Sequence, residues 1–299
     1  MKRANKYSNV ERVDAIWSAD WHLRDNDPPC RNDNFQTAQW DKVRQVRELQ
    51  EKWGCPVYHI GDLYNHWKPS PYLLSKTMQE LPKGFVTVYG QHDLPFHSWE
   101  YRNKSGIYAL EQAEFLTALV QGGWQQDPVK IRRINSSGKR SVGLSHRFIW
   151  DGDNIPWPGC DELTAKQMLK KYPKFDLIVT GDHHRPFVYT NKKGRTLLNC
   201  GCLTRQDASY INHKPRVWVW NAISNKITPY FLKYDEGAVD PTVNKTKERD
   251  IMIKSFISRI SEEWELSMSF EKNLERFFSK HKTGKSVMKL IYKSLKNEK

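Results

Sequence analysis

The chain has 299 residues, with 48 Lys and Arg against 34 Asp and Glu and a formal net charge of +14. That length fits one large α/β domain with an appendage, or two modest domains, and the basic excess favours a polyanionic partner, nucleic acid first. No apolar run approaches the roughly 18 residues of a membrane span, so no membrane partner is expected. The cysteine number is odd and the N-terminus shows no signal-peptide core, so a soluble protein with free thiols in a reducing, cytoplasmic compartment is expected.

In chain order, residues 1–12 are a polar lead-in. Val13, Ala15, Ile16 and Trp17 form a short buried strand that runs out into Asp20-Trp21-His22. Side chains at i and i+2 of extended backbone share a face, so Asp-x-His presents two metal donors together. Residues 24–34 have loop chemistry, rich in Asp, Asn and Pro. Trp40, Val43, Val46 and Leu49 then recur at three-residue steps and predict a helix over 35–53, ended by Gly54.

A second strand, 55–60, leads into Gly61-Asp62, where the glycine lets the backbone turn at the strand end. A helix follows over 72–81. A third strand, 85–89, ends in Gly90-Gln91-His92-Asp93. Strand–turn–donor units alternating with helices predict α/β layers with largely parallel pairing, and functional groups in such sheets gather beyond the carboxyl ends of the strands.

Residues 101–123 read as mixed and partly helical. Strands are expected over 129–134 and 140–144, joined by a turn at Ser136-Ser137-Gly138, and the second delivers Ser145-His146. A helix is expected over 160–171. The buried strand 175–180 leads to Gly181-Asp182-His183-His184. Residues 186–220 alternate apolar and polar and read as antiparallel strands of a second sheet, with Val217-Trp218-Val219-Trp220 a clear member. Residues 235–245 mark a boundary, giving domains 1–242 and 243–299. The second consists of basic helices centred on Ile251 to Ile260, Phe270 to Phe278 and Val287 to Leu295. It reads as a helical cap or as a docking module for a partner or DNA.

The strand ends supply Asp20, His22, Asp62, Gln91, His146, Asp182 and His184. These oxygen and nitrogen donors suit borderline divalent cations such as manganese, iron or zinc. They are too many for one ion and about right for two. A pair of cations about 3.5–4 Å apart needs a bridging carboxylate and activates water for in-line attack on phosphorus. His92, next to Gln91, is placed to give a proton to the leaving oxygen, with Asp93 expected to orient its ring. Cys200-Gly201-Cys202 lacks the second Cys or His pair that a zinc clip requires. His59, His66, His97, His183 and His213 are expected to be surface, core or supporting residues rather than ligands.

Taken as an ordered set, Asp-x-His, Gly-Asp, Gly-Gln-His-Asp, a lone His and a final Gly-x-x-His resemble the calcineurin-like metallophosphoesterase superfamily over residues 13 to about 215. The resemblance implies a four-layer fold, two mixed β-sheets sandwiched by helices, with the metals at one edge. It implies that Asp20, His22 and His184 bind a first metal, that Asp62 bridges, that Gln91, His146 and Asp182 bind a second, and that His92 acts on the leaving group or transition state; Asp93 is counted as catalytic with it through its expected orienting role. Gln91 stands where the superfamily usually has Asn, and Asp182 where it usually has His. The extra carboxylate favours a harder ion, so manganese is expected first, with iron, zinc or magnesium as alternatives. Residues 199–205 resemble the superfamily's late Asn-Pro-Gly-Ser-like turn, with cysteines at the Pro and Ser positions.

The blocks at 61–66 and 90–95, the basic charge and the helical tail together resemble SbcD-like DNA repair nucleases and their viral relatives. That implies a manganese-dependent DNA exonuclease or endonuclease in a bacterial or phage-infected cell. Its partners would be DNA and an SMC-like coiled-coil ATPase engaged through residues 246–299, and a homodimer is compatible with the pattern. The alternatives are a stand-alone phosphodiesterase or phosphatase acting on small nucleotides, and a non-catalytic scaffold of the same fold.

Overall fold

The computed structural model describes residues 12–119, 127–131, 140–152, 155–157 and 159–244, together with 274–275, 277–279, 288–289 and 291–292. The chain divides into two compact units, one formed by 1–152 and 162–240, the other by 153–161 and 241–299. No helix among the described residues is long and apolar enough to cross a membrane.

In the larger unit, β1 (Ala15–Ser18), α1 (Phe35–Trp53), β2 (Val57–Ile60), α2 (Pro71–Glu80), β3 (Phe85–Val88), α3 (Gly106–Gln112) and β4 (Leu116–Ala118) come first. They are followed by β5 (Val129–Lys130), β6 (Val142–His146), α4 (Ala165–Lys171), β7 (Leu177–Gly181), β8 (Phe187–Thr190), β9 (Thr196–Asn199), β10 (Arg216–Asn221) and β11 (Lys226–Phe231). One sheet runs β11-β10-β1-β2-β3-β4 and the other β5-β6-β7-β9-β8. Both are mixed. β1 through β4 are parallel and β10–β11 antiparallel to them or to each other; β6, β7 and β9 are parallel, edged by antiparallel β5 and β8.

The period-2 alternation of each strand builds the layers. Ile16, Val57, Phe85, Val217 and Val219 face α1–α3, in a core with Trp40, Val43, Leu73 and Ile107. Trp17, Tyr58, Ile60, Val88, Trp218 and Trp220 face the other way, onto Val142, Leu144, Leu177, Val179 and Leu198 of the second sheet. Ile178 and Leu197 point onward to Met168 and Leu169 of α4. Helices, sheet, sheet and helix therefore form the expected four-layer α/β sandwich. Between the sheets Trp17 stacks on Tyr58, with ring centroids 5.0 Å apart. In this layer large rings from the first sheet pack on aliphatic side chains from the second.

Local chemistry sets the helix bounds. Asn34 caps α1 by accepting from the Thr37 N–H at 2.8 Å, and Gly54, at φ 59°, closes it. The helix expected from Cys160 begins at Ala165 instead. Thr164 and Gln167 form a capping box, the Thr164 hydroxyl accepting from Gln167 N–H and the Gln167 amide oxygen from Thr164 N–H.

One further expectation is corrected. Residues 186–220 do not form one antiparallel set: β8 and β9 belong to the second sheet, but β10, which contains Val217–Trp220, pairs antiparallel with β1 in the first. Its alternation marks a strand buried on both faces and carries no information about its neighbour. Leu116–Ala118, inside the stretch read as partly helical, extends the first sheet beside β3. The expected turn at 136–138 and the first C-terminal helix at 251–260 lie outside the described residues. In the smaller unit Leu274, Phe278 and Ile291 are helical and form an apolar cluster with Phe277, Met288 and Tyr292.

Candidate metal centre

Parallel pairing of β1, β2 and β3 brings their carboxyl ends to one edge, and β6 and β7 of the second sheet reach the same place. Three overlapping groups result, each with donor atoms within 4.8 Å of one another: Asp20, His22 and His184; Asp20, Asp62 and His146; and His22, Asp62 and His92. Residues separated by up to 164 positions in sequence thus share one polar pocket. Asp62 Oδ2 lies 3.3 Å from His146 Nε2 and 3.7 Å from His22 Nε2. His22 Nε2 and His184 Nε2 face each other at 3.0 Å, and His184 Nε2 is 3.8 Å from Asp20 Oδ1.

The backbone is bent to make this convergence. Asp20, His22, Asp62 and Asp182 all have positive φ, at 52°, 45°, 57° and 74°. Such conformations cost free energy in a non-glycine residue and persist only where surrounding structure fixes them. The glycines allow close approach. A Cβ on Gly61 would sit 2.5 Å from His146 Cγ, and one on Gly90 would meet the Asp62 carboxylate.

The donors are buried. Burial pushes the Asp20 carboxyl well up, with the nearby carboxylates of Asp62 and Asp182 adding to it and the His146 imidazole opposing. Burial pushes His22 well down and His184 down to about 4, Asp62 opposing in both cases. For Asp62, burial acts upward, but the imidazoles of His146, His92 and His22 outweigh it and hold the carboxylate far below its usual range. His22 and His184 are thereby biased toward the neutral form and Asp62 toward the charged one, whereas for His146 burial acts downward but the Asp62 and Asp20 carboxylates outweigh it and hold the imidazole well above its usual range.

Unsatisfied atoms test the fit of a metal. Gln91 Oε1 is buried without a hydrogen-bond partner, and Asp62 Oδ2 and His146 Nε2 are buried with no well-formed hydrogen bond, meeting only each other at 3.3 Å. Buried polar atoms are rarely left so. His146 donates from Nδ1 to the Ile60 carbonyl at 2.6 Å, which leaves Nε2 as the donor atom. The residues present therefore fit divalent cations.

Gln91 and Asp182, expected as ligands, fall in none of the three groups. Gln91 donates from Nε2 to Asp182 Oδ1 at 2.7 Å, so the two departures from the superfamily pattern face each other. The Asp182 N–H donates to Asp20 at 3.0 Å. His92 sits as expected beside the donors, its ring 4.9 Å from that of His22.

Asp93 does not do what the sequence suggested. His92 Nδ1 donates to the Asn65 carbonyl at 3.0 Å, so a backbone oxygen orients the ring. Asp93 is fully buried and turns away to collect backbone N–H groups. Oδ2 accepts from Asp62 at 2.8 Å, Gly90 at 3.0 Å and Leu63 at 3.3 Å, and Oδ1 from Tyr64 at 3.1 Å. It ties the turn after β2 to the turn after β3. Burial and the neighbouring Asp62 push its carboxyl up to about 7, the Gly90 and Tyr64 N–H groups opposing.

Other supports were not legible as such. Asn199 donates from Nδ2 to the carbonyls of His183 and Arg185, the latter at 2.8 Å, and holds the loop bearing Asp182 and His184. Gln206 Nε2 reaches the carbonyls of Trp21 and His22, each at 3.1 Å. Asn199 stood in a recognisable turn; Gln206 gave no signal. Cys200 and Cys202 are free and buried, and no cysteine joins a donor group among the described residues. His59 is a core residue. Its Nδ1 is 2.9 Å from Thr87 Oγ1, and burial pushes it down to about 3.

No protein family model and no curated protein sequence matches the chain. Solved structures do. An archaeal phosphodiesterase is 13% identical over 73% of this chain and 99% of its own, with a TM-score of 0.44. Wild-type Vps29 from Entamoeba histolytica, complexed with zinc, is 13% identical over 74% and 99%, with a TM-score of 0.35. A metallophosphoesterase from Sphaerobacter thermophilus is 14% identical over 81% and 94%, with a TM-score of 0.36.

Proposed function

We propose that this chain is a calcineurin-like metallophosphoesterase, a two-metal phosphodiesterase that cleaves nucleic acid, with DNA the first substrate. The observation that carries the reading is the overlap of the donor groups. Asp20, His22 and His184 form one, Asp20, Asp62 and His146 another, and the Asp62 carboxylate borders both. In this reading Asp20, His22 and His184 hold one cation, and His146, Gln91 and Asp182 the other, with Asp62 between them. Two bound cations would supply electrophilic polarisation of the phosphoryl group and an acidified water. Asn65 holds His92 through Nδ1, which leaves Nε2 as the atom that passes a proton to the leaving oxygen. The hard oxygens of Asp182 and Gln91 favour manganese.

The formal charge of +14 supports a polyanionic substrate. In the same reading residues 246–299 dock a coiled-coil ATPase subunit. The test compares turnover of linear duplex DNA, a cyclic nucleotide and bis-p-nitrophenyl phosphate with manganese. Duplex DNA cleaved fastest, with about two metal ions per chain, supports the reading. Cleavage of the small esters alone makes the protein a nucleotide phosphodiesterase, and metal-free protein inactive on all three makes it a scaffold. His92→Ala should retain its metal yet lose on the order of a hundredfold in turnover; unchanged turnover would remove His92 from the chemistry.

A further inference from the structure

We propose that Phe96 is a base-stacking residue: the strained loop that follows His92 holds its ring out to a nucleobase of the polynucleotide bound at the metal centre. This rests on the nuclease reading and names the residue through which that site would grip a base rather than a phosphate.

A single exposed aromatic is ordinary. This one differs in how it is held. Phe96 is 79% exposed, more than any other large apolar side chain among the described residues. Its backbone lies in the left-handed region, at φ 54° and ψ 24°, and the next residue, His97, has φ 54° as well. Two successive residues with side chains in that conformation are costly, and neither is glycine, the residue that would relieve the strain. The fold therefore keeps a disfavoured geometry whose visible result is a large ring standing in water. Its edge contact with Tyr101 leaves most of that ring uncovered.

The loop is also anchored to the centre. His97 donates from Nδ1 to the Gln91 carbonyl at 3.0 Å, and its ring lies 6.4 Å from that of His92. Phe96 thus sits next to a residue bonded to the proposed ligand segment. Around it the loop alternates aromatic and cationic groups. Tyr101 meets Phe96 edge-on at 5.8 Å, Lys104 Nζ lies 5.0 Å over the Tyr101 ring, and the Arg102 guanidinium lies 4.9 Å over Trp99. Rings that stack on bases and cations that neutralise phosphates are the combination by which single-stranded nucleic acid is bound without sequence preference.

The test measures equilibrium binding by fluorescence anisotropy with manganese present. The probes are a labelled single-stranded oligodeoxynucleotide and the same oligonucleotide made abasic. Phe96→Ala should weaken binding to the base-bearing strand by about five- to one-hundred-and-fifty-fold. Its loss on the abasic strand should stay within about twofold, and Phe96→Trp should bind like the wild type. Phe96→Gly should raise the urea midpoint, because it relieves the backbone, while losing affinity as the alanine variant does. Equal losses on both strands, no loss on either, or failure of tryptophan to substitute would overturn the proposal. Turnover measured on the same strands keeps the two readings apart. Base-dependent binding without cleavage sinks the nuclease reading and leaves Phe96 as a stacking residue, whereas cleavage unaffected by Phe96→Ala sinks only the stacking role.

Discussion

Replacing Asp93 with alanine tests the assignment of that residue as a brace rather than a participant. Its carboxylate accepts from four backbone N–H groups, those of Asp62, Leu63, Tyr64 and Gly90, at 2.8 to 3.3 Å. Each buried donor left without an acceptor costs about 1–3 kcal/mol. Water entering the space of the lost carboxylate would satisfy some of them, so the net loss should be about 3–5 kcal/mol, a large fraction of the roughly 5–15 kcal/mol that holds a domain together. Asparagine should be milder. Its amide oxygen can serve the three N–H groups now bonded to Oδ2, which leaves only the Tyr64 N–H facing an NH₂ group, at about 1–3 kcal/mol. The two variants should also respond differently to pH. The folded Asp93 carboxyl is raised to about 7, so its contribution is fully present below the ordinary carboxylate pKa and is lost as pH rises through about 7. The asparagine variant has no such term, so its deficit against the wild type should narrow between about pH 4 and pH 8. Urea unfolding of metal-free protein, followed by fluorescence of the buried Trp17, Trp21 and Trp220, reads all three proteins. An alanine variant within about 1 kcal/mol of the wild type would refute the brace, and a deficit that widens with pH would refute the sign of the coupling.

Three further perturbations follow from the same geometry. Gly61→Ala places a Cβ 2.5 Å from His146 Cγ at a backbone φ of 79°, so His146 must move. Bound metal should fall from about two ions per chain toward one by elemental analysis, and full occupancy would show that His146 is not a ligand. Asn199→Ala frees the carbonyls of His183 and Arg185 and should weaken metal affinity about tenfold, as loss of an outer support does, in a chelator competition. Glu80 lies 2.8 Å from Lys76, 3.4 Å from Arg44 and 3.3 Å from Arg47; burial raises its carboxyl, but these cations outweigh that and lower it. A depressed carboxyl contributes stability above its unfolded pKa and loses it as pH falls through its folded one. Glu80→Gln should therefore cost about 0.5–1.5 kcal/mol at pH 7 and progressively less as pH falls below the ordinary carboxylate range, by urea midpoints along a pH series.

What the sequence disclosed and what it hid divide along a physical line. Asp20, His22, Asp62, His146 and His184 were legible because each follows a short apolar run, and a parallel sheet must bring such strand ends to one edge. The inference needed only the period of a strand and the rule that parallel strands share a direction. β10 escaped because Val217-Trp218-Val219-Trp220 is buried on both faces. Its alternation had nothing to say about whether β1 or β9 would be its neighbour, and in the fold it joins β1. Asp93 escaped for a related reason. Adjacency to His92 in sequence suggested a side-chain contact, but the chain turns between them. His92 points to the donors while Asp93 points back into the two turns that position Asp62. The partner that orients His92 is a main-chain carbonyl, that of Asn65, and a carbonyl leaves no mark in composition or spacing. Phe96 illustrates the limit most sharply. Its residue type is unremarkable, and only its backbone angles distinguish it from any other exposed ring. Which side chains converge at this edge is therefore written in residue types at strand ends. Their orientation is carried by backbone hydrogen bonds and left-handed turns that many sequences could encode.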